Sequence, residues 1–393
     1  MISRRTILCL GAAQLVAWGT SYYLIGVFGE HIAGATGWSR SFTYGGFSIG
    51  LLVMGLVSSW AGRAVDRHGG LPVLASGSLL NAAGCLALAC THHPVVYCLA
   101  WIVLGLSMRL TLYDAAFAAL ARIGGAGARR AMAQITLLGG LASTTFWPLG
   151  NALIEGLGWR GALIAYAAIS LAAIPLYLGL SAPRERNGKP EAAMTAAAEP
   201  SGKTDRISGW LYAAIMALVA FLNSGMSAHM IGILAGLGLG AATAVWVASL
   251  RGIGQTTARA CDVAFGAGLS PLTLNLIATL LLVAGFMIIP VAGTGMMQAI
   301  LFALAFGAGN GLMSITRGTL PLILIDPAQY GSVTGRLLVP SFVLSAAAPL
   351  VLGLLIEAYG PGAAIGSCLA LVLLVLALTL ALGRRSSLMR RGR

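Results

Sequence analysis

Gly62-Arg63-Ala64-Val65-Asp66-Arg67-His68-Gly69-Gly70 is a short polar island between two long apolar runs, residues 42–62 and 71–90. Ionised side chains are costly in hydrocarbon, and about twenty apolar residues in a helix match the thickness of that layer. The island therefore reads as a loop at a membrane surface, with one span entering it and another leaving. The same alternation of apolar runs and brief polar breaks continues in both directions. Of 393 residues, 58% are hydrophobic and only 9% charged, against roughly 25% charged in an average soluble domain. So little charge cannot cover a water-exposed surface. The runs are apolar throughout, where a soluble helix would carry a single stripe.

Gly, Pro and charge punctuation places twelve expected spans, at residues 7–28, 42–62, 71–90, 94–117, 131–153, 160–181, 209–233, 240–261, 271–291, 296–319, 331–356 and 361–382. With both termini in the cytoplasm, nineteen of the 24 basic residues fall on the inner side. They include Arg4, Arg5, Arg63, Arg67, Arg122, Arg129, Arg130 and the C-terminal arginines from Arg384 onward, whereas only Arg40 and Arg160 face out. This is the bias that orients inner-membrane proteins, and it accounts for the net charge of +13. No basic stripe interleaved with aromatics occurs, so no nucleic-acid partner is expected. The stretch from Ile7 to Phe28 is too long for a signal peptide, ends in aromatics and reads as a retained first span. Cys9, Cys85, Cys90, Cys98, Cys261 and Cys368 lie in or beside apolar segments without metal-ligand spacing, so neither metal nor cofactor is expected.

Residues 182–208, APRERNGKPEAAMTAAAEPSGKTDRIS, form the longest polar stretch and read as a flexible cytoplasmic linker. They divide the chain into bundles of six helices at 1–181 and 209–383, with a basic tail at 384–393. The halves show a faint repeat: PLGNALIEGLGWRGALI (148–164) resembles PLVLGLLIEAYGPGAAI (349–365). The fold class expected is thus an all-α polytopic membrane protein of two pseudo-symmetric six-helix bundles. Repeated bundles of this kind place a solute site between the repeats near mid-membrane.

At the opening island, Gly62, Asp66, Arg67 and Gly69 match the GxxxDRxGRR signature of the major facilitator superfamily, with Gly70 and Leu71 in place of its usual basic pair. The chain resembles that superfamily in motif, motif position, six-plus-six topology and central linker. The resemblance implies that Gly62, Asp66, Arg67 and Gly69 belong to a cytoplasmic gating latch, of which the second half keeps only Arg259 and Asp262. A plain solvated turn with topogenic arginines is the other reading of that loop. Within the superfamily, QLVAWGTSYYL (14–24), LYDAAF (112–117) and ITRGTLPL (315–322) resemble bacterial permeases near the monocarboxylate, oxalate and arsenical-efflux branches.

Ionisable groups inside spans cost roughly 2.5–3.5 kcal/mol at mid-membrane and so mark function. Arg109, Arg251 and Arg317 qualify. The resemblance implies that spans one, four, seven and ten line a central cavity, with two, five, eight and eleven beside them. Arginine's planar fork of donors suits a carboxylate or other oxyanion. Arg109 has a structural alternative in a pair with Asp114, and Arg317 one with helix-end carbonyls or Asp326. Asp114 is a candidate proton carrier or, equally, a partner of Arg109 or Arg122. Gln14, Trp18 and Tyr22 recur every four residues on one helix face. With Thr144, Asn223 and Asn310 they supply the uncharged part of a solute site, the alternative being bonds between helices.

The function expected is secondary active transport of a small solute, an organic anion first, by alternating access, with proton coupling through Asp114. Efflux of a metalloid or neutral metabolite, or a transporter-like membrane sensor, stands as the alternative. No GxxxxGK[ST] nucleotide loop occurs, and His31, His68, His92, His93 and His229 do not fall in a catalytic spacing. The protein is not expected to be an enzyme, and it is expected to act as a monomer in the lipid bilayer.

Overall fold

The computed structural model describes residues 2–124, 128–180, 206–266, 269–293, 295–324 and 336–391, helices joined by short connections, with no strand among them. The chain separates into two compact units, Met1–Thr195 and Ala196–Arg393. Most of the expected linker lies outside the described residues; its last three, Arg206 to Ser208, already belong to a helix.

In the first unit, α1 (Arg4–Ala17) starts on Ser3, whose hydroxyl accepts from the Thr6 amide at 3.0 Å. A single π-helical turn, Trp18–Tyr22, joins it to α2 (Leu24–Thr36). There follow α3 (Arg40–Leu56), α4 (Ser58–His68), α5 (Gly70–Ala89), α6 (Pro94–Thr111), α7 (Tyr113–Gly124), α8 (Ala128–Gly140), α9 (Ala142–Ala172) and a 3₁₀ stretch, Ile174–Leu180. The second unit holds α10 (Arg206–Gly236), α11 (Ala241–Phe265), α12 (Pro271–Ala292), α13 (Met296–Leu324) and α14 (Val339–Arg391). The segment expected as a tail from residue 384 continues α14 to Arg391.

Among the described residues, eight stretches are long and apolar enough to cross a membrane. Two of them, Ala131–Leu178 and Val339–Ser386, run to 48 residues, about twice what a 30 Å hydrocarbon layer accepts. Each is folded in its middle by a glycine, Gly158 (φ 69°) or Gly360 (φ 81°). With ψ of 165° and 173° this backbone is open essentially to glycine alone, and a Cβ there would cost about 1–3 kcal/mol, which is why glycine ends the repeated Ile-Glu-x-x-Gly in both halves. The two remaining expected spans fall on α3 with α4, interrupted at Val57, and on α11, which carries Arg251 and Arg259. The expected loop at 62–68 is helical instead, as the last part of α4. No residue in it breaks a helix, and the chain turns only at Gly69 (φ 87°), with Arg67 and His68 against the negative end of the helix.

Each unit packs the same pairs of rods through small residues. In the first, α3 meets α6 where a Cβ on Gly105 would lie 2.4 Å from the Gly50 oxygen. In the second, α11 meets α13 where Cβ atoms on Gly254, Gly307 and Gly311 would lie 2.3, 2.0 and 2.6 Å from backbone oxygens of Leu304, Arg251 and Gln255. Buried asparagines tie the third rod of each unit to its sixth. Asn81 donates to Ser170 Oγ at 3.1 Å, and Asn275 to Thr379 Oγ1 at 3.0 Å. The units differ in continuity. Rods of the first are interrupted at Trp18–Tyr22, Val57, Leu112 and Leu141, whereas α10, α11 and α13 run through unbroken.

Candidate functional site

In the second unit a guanidinium sits inside the helical bundle. Arg251, midway along α11, is 0% exposed. Its Nη1 donates to Ser227 Oγ at 3.0 Å and its Nη2 to Asn223 Oδ1 at 2.7 Å, both on α10. Asn310 of α13 donates to the same Asn223 oxygen at 2.8 Å. One amide oxygen therefore gathers donors from two other helices. The Phe306 ring faces the same guanidinium, its centroid 5.0 Å from the guanidinium carbon. Asn223 and Asn310, beside the buried arginine, are themselves half-buried. Close approach of α11 and α13 at Gly307 makes the cluster possible, since any larger residue there would meet the Arg251 backbone.

Arg317 stands apart from this cluster. Its guanidinium carbon lies 5.9 Å from the Phe342 ring, and its carbonyl accepts from the Tyr212 hydroxyl at 2.7 Å. Asp326, its other candidate partner, lies outside the described residues. Arg259 is buried on α11, where it donates to Ser314 Oγ at 2.9 Å and to the Gly311 carbonyl at 3.5 Å, both on α13. Asp262 follows one turn later, just past the expected span 240–261, and burial raises its carboxyl above its ordinary value. The expected inner loop around these two residues is thus the last part of α11.

In the first unit, Gln14 is wholly buried and donates through Nε2 to the Thr111 carbonyl at 2.7 Å. That carbonyl is left over where α6 stops: Leu112 takes an extended conformation, and the Ala115 amide bonds Leu112 instead. Trp18 packs on Tyr22 at 5.0 Å and on Tyr113 at 4.9 Å between ring centroids. Tyr22 also meets Phe47 at 5.2 Å, and the Trp147 indole donates to the Tyr23 carbonyl at 3.0 Å. Thr144 is half-buried on α9. Arg109, in the last turn of α6, is ion-paired with Asp114 in the first turn of α7 across the same break. Of the latch residues, Gly69 has the positive φ a turn requires, Arg67 is exposed, and a Cβ on Gly62 would meet nothing within 4 Å. The Asp66 side chain lies outside the described residues.

Six of the expected site residues thus form two groups, Asn223–Arg251–Asn310 and Gln14–Trp18–Tyr22. Phe306, Thr111 and Tyr113 join these neighbourhoods, and Ser314 that of Arg259, without having been singled out. Only Tyr113, beside Asp114 in an otherwise apolar run, left a trace in the sequence.

The family model described as Major Facilitator Superfamily matches residues 10–339. The nucleoside transporter NupG aligns with TM-score 0.72 at 13% identity, over 96% of this chain and 98% of that one. A bacterial homolog of the human lysosomal transporter Spinster aligns with TM-score 0.66 at 15% identity, over 98% and 96% of the two chains. A structure concerned with proton dependent oligopeptide transporters aligns with TM-score 0.73 at 12% identity, over 98% and 99%. At such identities the likeness is one of fold. No curated protein matches the chain in sequence.

Proposed function

The chain belongs to the major facilitator superfamily, a family of multi-pass membrane transporters, and on that premise we propose that it carries a small organic anion across the inner membrane by alternating access. The observation that carries this reading is the buried Arg251 held by Asn223 and Ser227, with Asn310 sharing the Asn223 oxygen. A carboxylate offers oxygens of the same kind as that amide oxygen, but charged. It would take over donors from Arg251 and Asn310, and charge-assisted bonds are roughly twice as strong as neutral ones. Asn223 thus acts as a place-holder that keeps both donors oriented while the site is empty.

Transport would be driven by a solute or proton gradient. For a coupled proton we propose Asp114: its protonation cancels the charge that holds Arg109 across the Leu112 break. The Gly62–Gly69 segment and the Arg259–Asp262 pair serve as gates in this reading, Arg259 by gripping α13 at Ser314. Both termini are cytoplasmic and the protein works as a monomer. The asymmetry of basic residues supports the orientation.

The test is thermal stabilisation of the purified protein by carboxylates, inorganic oxyanions, vitamins and organic cations. Anions raise the melting temperature of the wild type and lose that effect in Arg251→Lys. Stabilisation by cations alone would overturn the assignment.

A further inference from the structure

Two interrupted rods of the first unit meet at their interruptions. The π turn Trp18–Tyr22 breaks the first rod, and the carbonyls of Val16 and Ala17 are taken up by the Thr20 and Ser21 hydroxyls at 2.9 and 2.6 Å. Leu112 breaks the fourth. Gln14 reaches Thr111 on one side of that break, and Trp18 packs on Tyr113 on the other. Both reaching residues keep an unsatisfied polar atom there. Gln14 Oε1 and Trp18 Nε1 are buried and have no hydrogen-bond partner among the described residues. Gln14 as a whole is 0% exposed, so bulk water does not serve its oxygen. A buried acceptor or donor left unmatched loses its hydration for nothing, and native proteins keep few of them. Meanwhile the rings of Trp18 and Tyr113 are only half-buried, which leaves aromatic surface open beside these atoms.

We propose that this crossing is a recognition element of the first unit, one that takes a planar conjugated ring bearing an acceptor for the Trp18 indole N–H and a donor for the Gln14 amide oxygen. The ring packs on Trp18 and Tyr113, as those rings pack on each other, and the adjacent polar edge satisfies the two orphaned atoms. Interrupted helices are where transporters of repeated bundles expose such polar groups. That the ligand is also the transported solute rests on the function proposed above, but the binding element stands without it.

Calorimetric titration of the full-length protein separates the two. Nicotinamide supplies ring, acceptor and donor; N,N-dimethylnicotinamide lacks the donor; cyclohexanecarboxamide lacks the conjugated ring. Nicotinate and cyclohexanecarboxylate add charge with and without that ring. Nicotinamide is expected to bind more tightly than either neutral analogue, and nicotinate more tightly than cyclohexanecarboxylate. Trp18→Phe, which keeps a ring but removes the donor, is expected to weaken nicotinamide by about two- to tenfold, the worth of one neutral hydrogen bond. Arg251→Lys should weaken the carboxylates and leave nicotinamide alone. Equal binding of conjugated and saturated ligands to the wild type overturns the element, needs no variant to be stable, and leaves the anion reading untouched. Failure of nicotinamide to bind overturns the element as well. Trp18-dependent binding of nicotinamide with no binding of carboxylates would uphold the element and overturn the anion reading.

Discussion

Gly307→Ala is the most informative single change in the second unit. Gly307 of α13 lies directly on the α11 backbone, and a Cβ there would stand 2.0 Å from the Arg251 oxygen, 2.8 Å from its carbonyl carbon and 2.9 Å from its Cα. These are backbone atoms, so no rotamer change relieves the clash. Ordinary contact is about 3.5–4.0 Å, so α13 must retreat by about 1.5 Å or more from the 2.0 Å position. Asn310 sits less than one turn further along α13 and moves with it, straining its 2.8 Å bond to Asn223. Overpacking of this kind costs about 1–3 kcal/mol. Gly318→Ala on the same helix is the control: its Cβ would meet nothing within 4 Å, and replacing a helical glycine gains roughly 0.5–1 kcal/mol. Thermal unfolding of the two purified variants should therefore shift in opposite directions. Anion affinity of Gly307→Ala should also fall about tenfold, the equivalent of 1.4 kcal/mol. Equal melting temperatures and equal affinities would refute the claim that this contact builds the site.

Arg251→Lys keeps the charge but cannot reach both Ser227 Oγ and Asn223 Oδ1 with a planar fork, so anion uptake is expected to fall about tenfold or more at unchanged membrane expression. Asp114→Asn removes a salt bridge whose acidic side chain is 61% exposed; stability should change by less than about 1 kcal/mol, while the pH dependence of uptake flattens, and an unchanged pH profile removes Asp114 from proton coupling. Asn81→Ala deletes the bonds from α5 to Thr20 and Ser170 and should cost about 1–3 kcal/mol in thermal or denaturant unfolding, with Asn275→Ala behaving alike in the other unit.

Much of the architecture was legible because bilayer thickness imposes a length and charge imposes an orientation. Gly158 and Gly360 are visible as repeat glycines, and their positive φ gives the reason. The interruptions at Val57, Leu112 and Leu141 were not legible: none is a glycine or proline, and each lies within an apolar run that reads as continuous. Conversely, charge made the island at 62–68 and the segment around Arg259 read as loops, where the structure continues the helix. Arg251, Asn223 and Asn310 were each conspicuous as polar groups in spans, yet their sharing of one oxygen joins residues up to 87 positions apart. Such convergence comes from helix packing at Gly307; the Gly307-x-x-x-Gly311 spacing marks a close approach but does not name the helix it meets. Arg109 and Asp114, five residues apart, were a pair that spacing alone did suggest.

Counterflow in proteoliposomes tests the account at its centre. Vesicles containing the purified protein and loaded with an unlabelled carboxylate that stabilises it should accumulate the labelled compound from outside, and vesicles carrying Arg251→Lys should accumulate about tenfold less. Equal accumulation in the two, or none above protein-free vesicles for any anion that binds, would contradict it.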